Sequence, residues 1–331
     1  MINGLKSACS GVLLVITAPA FAAFASSGVE PSSRLVIAST VREGVEPLAY
    51  YHARSGSPEA GDLLVLLNGS GCNVMKPFFE RMVKRVGAAA PDNSFDIVLL
   101  EKNGVSTSVV PAHYGSGERC TAEFHESNQL VVRVKAQRAL IQQLMNERAY
   151  ERVVVAGFSD GAIVAAALAA EEPTVTHLVM VGSGGMKLAD ELLITQSRGA
   201  FPGFEAKDLE EGYREVRKYP ADTSKFFLGQ TYRYMSDMLW VDPLGYLLKL
   251  DIPILIGIGS DDKAVPVESA YYLGEAFAKA RKSNLSLHVY GGADHGLRVG
   301  DRSYMVEFLG EMVRWMEGPQ GDPAIVPSVA K

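Results

Sequence analysis

The chain has 331 residues, 47% of them hydrophobic and 21% charged, so it can bury a large core without the help of disulfides or metals. Its net charge of −6 is mild, and the absence of a basic stripe argues against a nucleic-acid partner. The sequence contains no internal repeat that would indicate a solenoid.

The N-terminal segment has the composition of a secretory signal peptide. Lys6 precedes an uncharged run of apolar and small residues. The sequence "AFA" at 23–25 is an A-x-A cleavage site, and "AFA" at 20–22 is a second choice. The pattern predicts a signal peptide over residues 1–25 and export of the mature chain to the periplasm or the exterior.

A retained membrane anchor is the alternative reading of this segment. Pro19 and the shortness of the apolar run argue against a bilayer-spanning helix. No later segment is apolar enough to span a bilayer, so we expect the mature protein, residues 26–331, to have no membrane span.

Short apolar runs alternate with helix-like patterns along the mature chain. Strands are predicted at 34–39, 47–53, 62–68, 95–101, 152–157, 175–183, 251–260 and 285–290, and helices at 78–86, 126–148, 162–170, 267–280 and 301–316. Continuous apolar strands alternating with helices are typical of a mainly parallel sheet covered on both faces. The sequence therefore predicts a single doubly wound α/β domain.

The segment from about 187 to 250 departs from this alternation. It is aromatic, charged and irregular, and it contains no clear buried strand. We expect it to be a lid inserted between core strands, over the sheet edge where ligands bind in open α/β folds. Its aromatic residues either line a pocket or form the lid's own small core. The Pro- and Gly-rich tail, about 318–331, is predicted to be loose.

A serine flanked by two glycines joins an apolar strand to a helix in "VVVAGFSDGA". This order is the context that the G-x-S-x-G nucleophile elbow requires. The tight turn would expose the Ser159 side chain at the top of the sheet, with the backbone N–H of Asp160 aimed at a bound carbonyl oxygen. A structural N-cap serine is the alternative.

A serine nucleophile needs a base, usually a histidine oriented by a carboxylate. Asp261 and Asp262 follow a predicted strand in "GIGSDDKAVP", and His295 lies in the glycine-rich loop "GGADHG" before the last helix. The chain order Ser159, Asp, His295 is that of the α/β-hydrolase triad.

From about Leu63 to Met316 the chain resembles the α/β-hydrolase superfamily, through "LLVLLNGSG", "VVVAGFSDGA", "GIGSDDKAVP" and "GGADHG". The resemblance implies an α/β-hydrolase fold with a helical lid. It implies a triad of Ser159, Asp262 and His295, with Asp261 as the alternative acid.

The same resemblance implies an oxyanion hole made by two backbone N–H groups. One belongs to Asp160. The other belongs to Ser70, or alternatively Gly71, in the loop after the third strand. That loop begins with Asn-Gly where the superfamily more commonly has His-Gly, which leaves its hydrogen bonding open.

Cys72 and Cys120 are the two cysteines that remain after signal cleavage. An even count in an exported protein indicates a disulfide, and two buried thiols are the alternative. The resemblance places both loops at one edge of the sheet, where a bridge would brace the loop that contains Ser70.

The leading functional hypothesis is an exported serine hydrolase that cleaves a carboxylic ester or a related small acyl substrate. A peptidase or amidase, an acyltransferase and a non-enzymatic binding protein of the same fold are the alternatives. The proposed chemistry needs no cofactor. No metal site is expected either, because the histidines lack ligand spacing and the cysteines are too few.

Overall fold

Nine strands form one central sheet in the part of the chain that the structure, a computed structural model, describes: residues 35–42, 45–55, 61–90, 95–201, 203–318 and 325–328. The predicted signal peptide lies outside this part. The strands are β1 (Leu35–Arg42), β2 (Val45–Ala53), β3 (Asp62–Leu67), β4 (Asp96–Leu100), β5 (Arg152–Phe158), β6 (His177–Val181), β7 (Phe226–Phe227), β8 (Gln230–Thr231), β9 (Ile254–Gly259), β10 (Leu285–Tyr290), β11 (Arg298–Val299), β12 (Arg302–Ser303) and β13 (Ile325–Ser328).

The strand order of the central sheet is β1-β2-β4-β3-β5-β6-β9-β10-β13, and the remaining four strands form two short hairpins. The β1–β2 and β2–β4 pairs are antiparallel, and all the other neighbours in this sheet are parallel. The mainly parallel sheet confirms the predicted α/β class. The tail that was predicted to be loose, about 318–331, contains β13, which pairs with β10. Most of this tail lies outside the described residues.

Helices cover both faces of this sheet. They are α1 (Lys76–Ala89), α2 (Ala122–Ser127), α3 (Leu130–Glu147), α4 (Asp160–Glu171), α5 (Leu188–Ser197), α6 (Ala206–Lys218), α7 (Tyr232–Met238), α8 (Pro243–Leu247), α9 (Glu268–Lys279) and α10 (Met305–Glu317). Among the described residues, none of these helices has both the length and the hydrophobicity to cross a bilayer.

The side chains of β3 show why its sequence is continuously apolar. Leu63 and Val65 face one core, which includes side chains of α3 and α4, and Leu64 and Leu66 face the other, which includes side chains of α1 and α10. All four are fully buried. A parallel strand that is covered on both faces has no side chain exposed to solvent, so its sequence is apolar at every position.

The register of the parallel strands brings their carboxyl ends to one edge of the sheet. Leu67 of β3 pairs with Gly157 of β5, and Phe158 of β5 pairs with Val181 of β6. The loops after these strands therefore start close together, at the edge where open α/β sheets bind ligands.

The segment between β6 and β9 is mainly helical. It contains α5 to α8 and the β7–β8 hairpin, whose two strands have only two residues each. Most of the aromatic side chains in this segment pack inward, and only two of the following seven are exposed. Buried or in contact with the core are Phe201, Phe227, Tyr232, Tyr234 and Trp240, and exposed are Phe204 and Phe226.

Candidate active site

Ser159 lies in the turn between β5 and α4 with a strained backbone. Its φ of 56° and ψ of −130° fall in a region that non-glycine residues rarely adopt. A Cβ on Gly157 would collide with the Gly161 carbonyl, and one on Gly161 would collide with the Asn68 carbonyl. Both glycines of the motif are therefore required by close backbone packing around the serine.

The carboxylate of Asp262 and the imidazole of His295 are hydrogen-bonded. The distance from Asp262 Oδ2 to His295 Nδ1 is 2.7 Å, and the Asp262 side chain is fully buried. Its other oxygen, Oδ1, accepts hydrogen bonds from the backbone N–H groups of Ala264 (2.8 Å) and Val265 (2.9 Å). The neighbouring Asp261 is exposed, so Asp262 is the one that the structure places against the histidine.

Ser159 and His295 both lie against the end of β6. The backbone N–H of Ser159 donates to the Val181 carbonyl at 2.8 Å. The next residue, Gly182, has a φ of 62°, and a Cβ there would lie 2.9 Å from Cε1 of His295. Within the described residues no hydrogen bond joins the Ser159 hydroxyl to the imidazole, and such contacts often form only when substrate binds.

The loop Asn68–Cys72, called the 68–72 loop below, packs directly against the serine. A Cβ on Gly69 would lie 3.2 Å from the Ser159 Cβ and 3.7 Å from its Oγ. Neither Ser70 nor Asp160 uses its backbone N–H in a hydrogen bond to another described residue. Both predicted oxyanion donors are therefore free among these residues. The N–H of Asp160 is the first of α4, and the first N–H groups of a helix generally have no partner within it.

Cys72 and Cys120 are joined by a disulfide in the structure, with their Cα atoms 5.9 Å apart. The loop that contains Cys120 also contacts the segment between β6 and β9. The N–H of Gly117 donates to the Gly229 carbonyl at 2.8 Å, and Gln230 Nε2 donates to the Gly115 carbonyl at 2.7 Å. The bridge thus connects the 68–72 loop to a loop that touches the β7–β8 hairpin.

Three ionisable residues near the site were not predicted. Lys102 and Arg133 donate hydrogen bonds to carbonyl groups of the 68–72 loop, and Glu191 of α5 is buried near Asp262. No motif marks any of them, because their partners are 27 or more residues away in the sequence. The nearest signal is the position of Lys102, two residues after β4, at the edge of the sheet where the site lies.

Glu191 is a carboxyl group that the fold keeps protonated at neutral pH. Burial raises the pKa of Glu191 to about 8, a hydrogen bond with Ser269 opposes this, and the charges of Asp262 and Asp190 raise the pKa further. Only 4% of the residue is exposed. Ionisation at this position would place a second negative charge beside the carboxylate that holds His295.

We expect Glu191→Gln to stabilise the protein at pH 8 and to change little at pH 5. The folded-state pKa of about 8 lies above the ordinary value of 4.5, so wild-type stability is full below pH 4.5 and falls as the pH rises to about 8. This difference corresponds to a few kcal/mol. Urea unfolding at pH 5 and pH 8 measures it.

Glu210→Gln, at an exposed position of α6, is the matched control, and its stability should differ from that of the wild type by the same small amount at both pH values. Equal stabilities of the Glu191→Gln variant and the wild type at pH 8 would contradict the raised pKa.

A model of the prolyl oligopeptidase family matches residues 94–319. Ser159, Asp262 and His295 lie within this match, and the 68–72 loop lies outside it. No curated protein matches the sequence.

Solved structures of esterases and peptidases are similar to this chain in fold. Est1E from Butyrivibrio proteoclasticus, solved with ferulic acid bound, aligns with a TM-score of 0.59 and 18% identity over 85% of this chain and 100% of that chain. A carboxyl esterase from Bacillus coagulans aligns at 0.58 and 14%, over 86% and 98%.

The acylaminoacyl peptidase of Pyrococcus horikoshii aligns with a TM-score of 0.58 and 10% identity. The alignment covers 89% of this chain and 43% of the peptidase, so this chain spans less than half of the peptidase's length. At these identities the similarity concerns the fold alone.

Proposed function

Because the chain belongs to the prolyl oligopeptidase family, and is thus a serine hydrolase of the α/β-hydrolase fold, we propose that Ser159, His295 and Asp262 form its catalytic triad. We propose a carboxylic ester or a related acyl compound as the substrate. The observation that supports this most is the buried Asp262–His295 hydrogen bond beside the strained Ser159 turn.

In the proposed mechanism, Ser159 Oγ attacks the carbonyl carbon of the substrate while His295 Nε2 accepts the hydroxyl proton. The Asp262 carboxylate keeps the proton of the imidazole on Nδ1, so that Nε2 is free to act as a base. The backbone N–H groups of Ser70 and Asp160 stabilise the oxyanion. His295 then protonates the leaving group, and water hydrolyses the acyl-enzyme by the reverse sequence of proton transfers.

Two esterases, Est1E and the carboxyl esterase from Bacillus coagulans, are similar to this chain in fold and support the proposed ester substrate. The family name supports the alternative, a peptidase or amidase with the same triad. The two reactions differ in that a peptidase must protonate an amine leaving group.

We further propose that residues 187–250 act as a lid that controls access to the acyl site. Support comes from the hydrogen bonds of Gly229 and Gln230 to the 115–117 loop, which is linked to the 68–72 loop by the disulfide. The N-terminal segment and the paired cysteines support the proposal that the protein is exported, with residues 1–25 as its signal peptide.

A fluorophosphonate probe tests the proposed nucleophile. We expect the mature protein, from Ser26 onward, to be labelled at Ser159 and the Ser159→Ala variant to remain unlabelled, with the site read by peptide mass spectrometry. Activity on ester, amide and acyl-acceptor substrates then separates the esterase from the alternatives. A folded wild-type protein that takes no label would contradict the proposal and favour the binding protein.

A further inference from the structure

The side chain of Lys102 lies against the 68–72 loop and binds two of its carbonyl groups. Its Nζ donates a hydrogen bond to the Gly69 oxygen and another, 3.0 Å long, to the Gly71 oxygen. Lys102 follows β4, the parallel neighbour of β3, so its side chain starts at the same sheet edge as this loop. The ammonium also lies 5.8 Å from the centre of the Phe124 ring.

These two hydrogen bonds restrict where the N–H groups of the loop point. In a trans peptide the C=O and N–H of one unit point in opposite directions. Holding the Gly69 oxygen on the lysine side therefore turns the N–H of Ser70 away from the lysine. Gly69 lies against Ser159, where a Cβ on the glycine would be 3.2 Å from the serine Cβ. The free N–H of Ser70 therefore belongs to the residue that follows this contact with the nucleophile, and its direction is set by the lysine.

A cation on a carbonyl oxygen also polarises the rest of the peptide group. Hydrogen bonds in a chain strengthen one another, so an ammonium on the Gly69 oxygen makes the Ser70 N–H a better donor. Such a donor favours a negatively charged oxygen more than it favours the neutral carbonyl of a substrate. The effect is therefore larger in the transition state than in the bound ground state.

Arg133 performs the matching role at the second donor. Its Nη1 lies 2.6 Å from Asp160 Oδ2, and its Nη2 donates to the Asn68 carbonyl at 3.1 Å. Both side chains of this ion pair are nearly buried, at 9% exposure. An unpaired carboxylate on Asp160 would repel the oxyanion that the same residue's N–H is placed to bind. Arg133 neutralises that charge.

The surroundings of Lys102 act on its charge in opposite directions. Burial and the charge of Arg133 lower the pKa of Lys102 well below its usual range. The charges of Asp160 and Glu101, and the two carbonyl groups that accept its hydrogen bonds, favour the ammonium. Among the described residues, Lys102 forms no ion pair within 4.0 Å, and its hydrogen bonds go to the carbonyl groups of the loop. An apolar side chain of similar length would avoid the cost of burying a charge. Buried charges with perturbed pKa values concentrate at functional sites.

We propose that Lys102 is a positioning residue that orients and polarises the Ser70 N–H of the oxyanion hole, while Arg133 neutralises Asp160 at the second donor. This inference rests on the proposed serine hydrolase mechanism. Lys102 touches no reacting atom and acts only through the 68–72 loop.

Lys102→Met tests the proposal, with Lys135→Met at an exposed position of α3 as the matched control. On p-nitrophenyl acetate we expect kcat to fall by about 10- to 100-fold with little change in KM, less than the loss of a whole oxyanion donor. Affinity for a trifluoromethyl ketone, which binds as an oxyanion adduct, should fall by a similar factor. Lys135→Met should match the wild type in all three measurements.

The proposal is overturned if folded Lys102→Met keeps the wild-type kcat, or if its affinity for the ketone is unchanged. Should Lys102→Met not fold, Lys102→Gln provides the same comparison, because its amide can donate to one carbonyl but has no charge. A wild type that is not labelled at Ser159 by the fluorophosphonate would instead contradict the proposed function. A wild type labelled at Ser159, together with an unaffected Lys102 variant, would contradict this inference alone.

Discussion

His295→Ala is expected to lower kcat for ester hydrolysis by roughly 10⁵- to 10⁶-fold, about as much as loss of the serine itself. The imidazole is the only base that the proposal assigns to Ser159, and without it the hydroxyl stays protonated and weakly nucleophilic. Residual catalysis from the oxyanion hole and from substrate binding should remain. Initial rates on p-nitrophenyl acetate, with the protein concentration fixed by absorbance, measure the loss.

His113→Ala is the control for this experiment, because His113 is an exposed histidine in the loop after β4. It should keep the wild-type rate. If folded His295→Ala retained more than about 1% of the wild-type kcat, which a lost general base does not permit, another base would have to serve Ser159.

Asp262→Asn is expected to lower kcat by about 10⁴-fold with the fold intact. The structure gives a specific reason. Asp262 Oδ1 accepts two backbone N–H groups, so the amide oxygen of asparagine will take that position and leave the amide nitrogen facing His295 Nδ1. An N–H donor there forces the imidazole proton onto Nε2, and the histidine can then no longer accept the serine proton.

Asp261→Asn is the matched control, since it makes the same chemical change one residue away, on an exposed side chain. Its kcat should equal that of the wild type. The reverse result, a large loss at Asp261 and none at Asp262, would assign the acid to the other aspartate.

Several features were predictable because they depend on neighbours in the sequence. The parallel strands β3 to β6, β9 and β10 were predicted as apolar runs, since a strand buried on both faces is apolar at every position. The short strands β7, β8, β11, β12 and β13 were not predicted. The Ser159 turn was found because the tight connection from strand to helix requires glycine on both sides within a few residues. The predicted helix 126–148 was only partly correct. Its start belongs to α2, and Asn128 and Gln129 separate α2 from α3.

That break shows the limit of local patterns. The N–H of Leu130, at the start of α3, donates to the carboxylate of Asp237, which is 107 residues further along the chain. A partner this distant can begin a new helix where the periodicity of the sequence would continue the old one.

The sequence by itself determined the α/β class and the chain order of the proposed triad residues, because burial patterns and tight turns depend on adjacent residues. Only the tertiary structure decided which of two neighbouring aspartates meets His295, since side-chain direction depends on the backbone N–H groups that hold the carboxylate. It alone brought Lys102 and Arg133 to the 68–72 loop. These contacts join segments that are distant in the sequence. The segments become neighbours only because the register of the parallel strands brings them to one edge of the sheet.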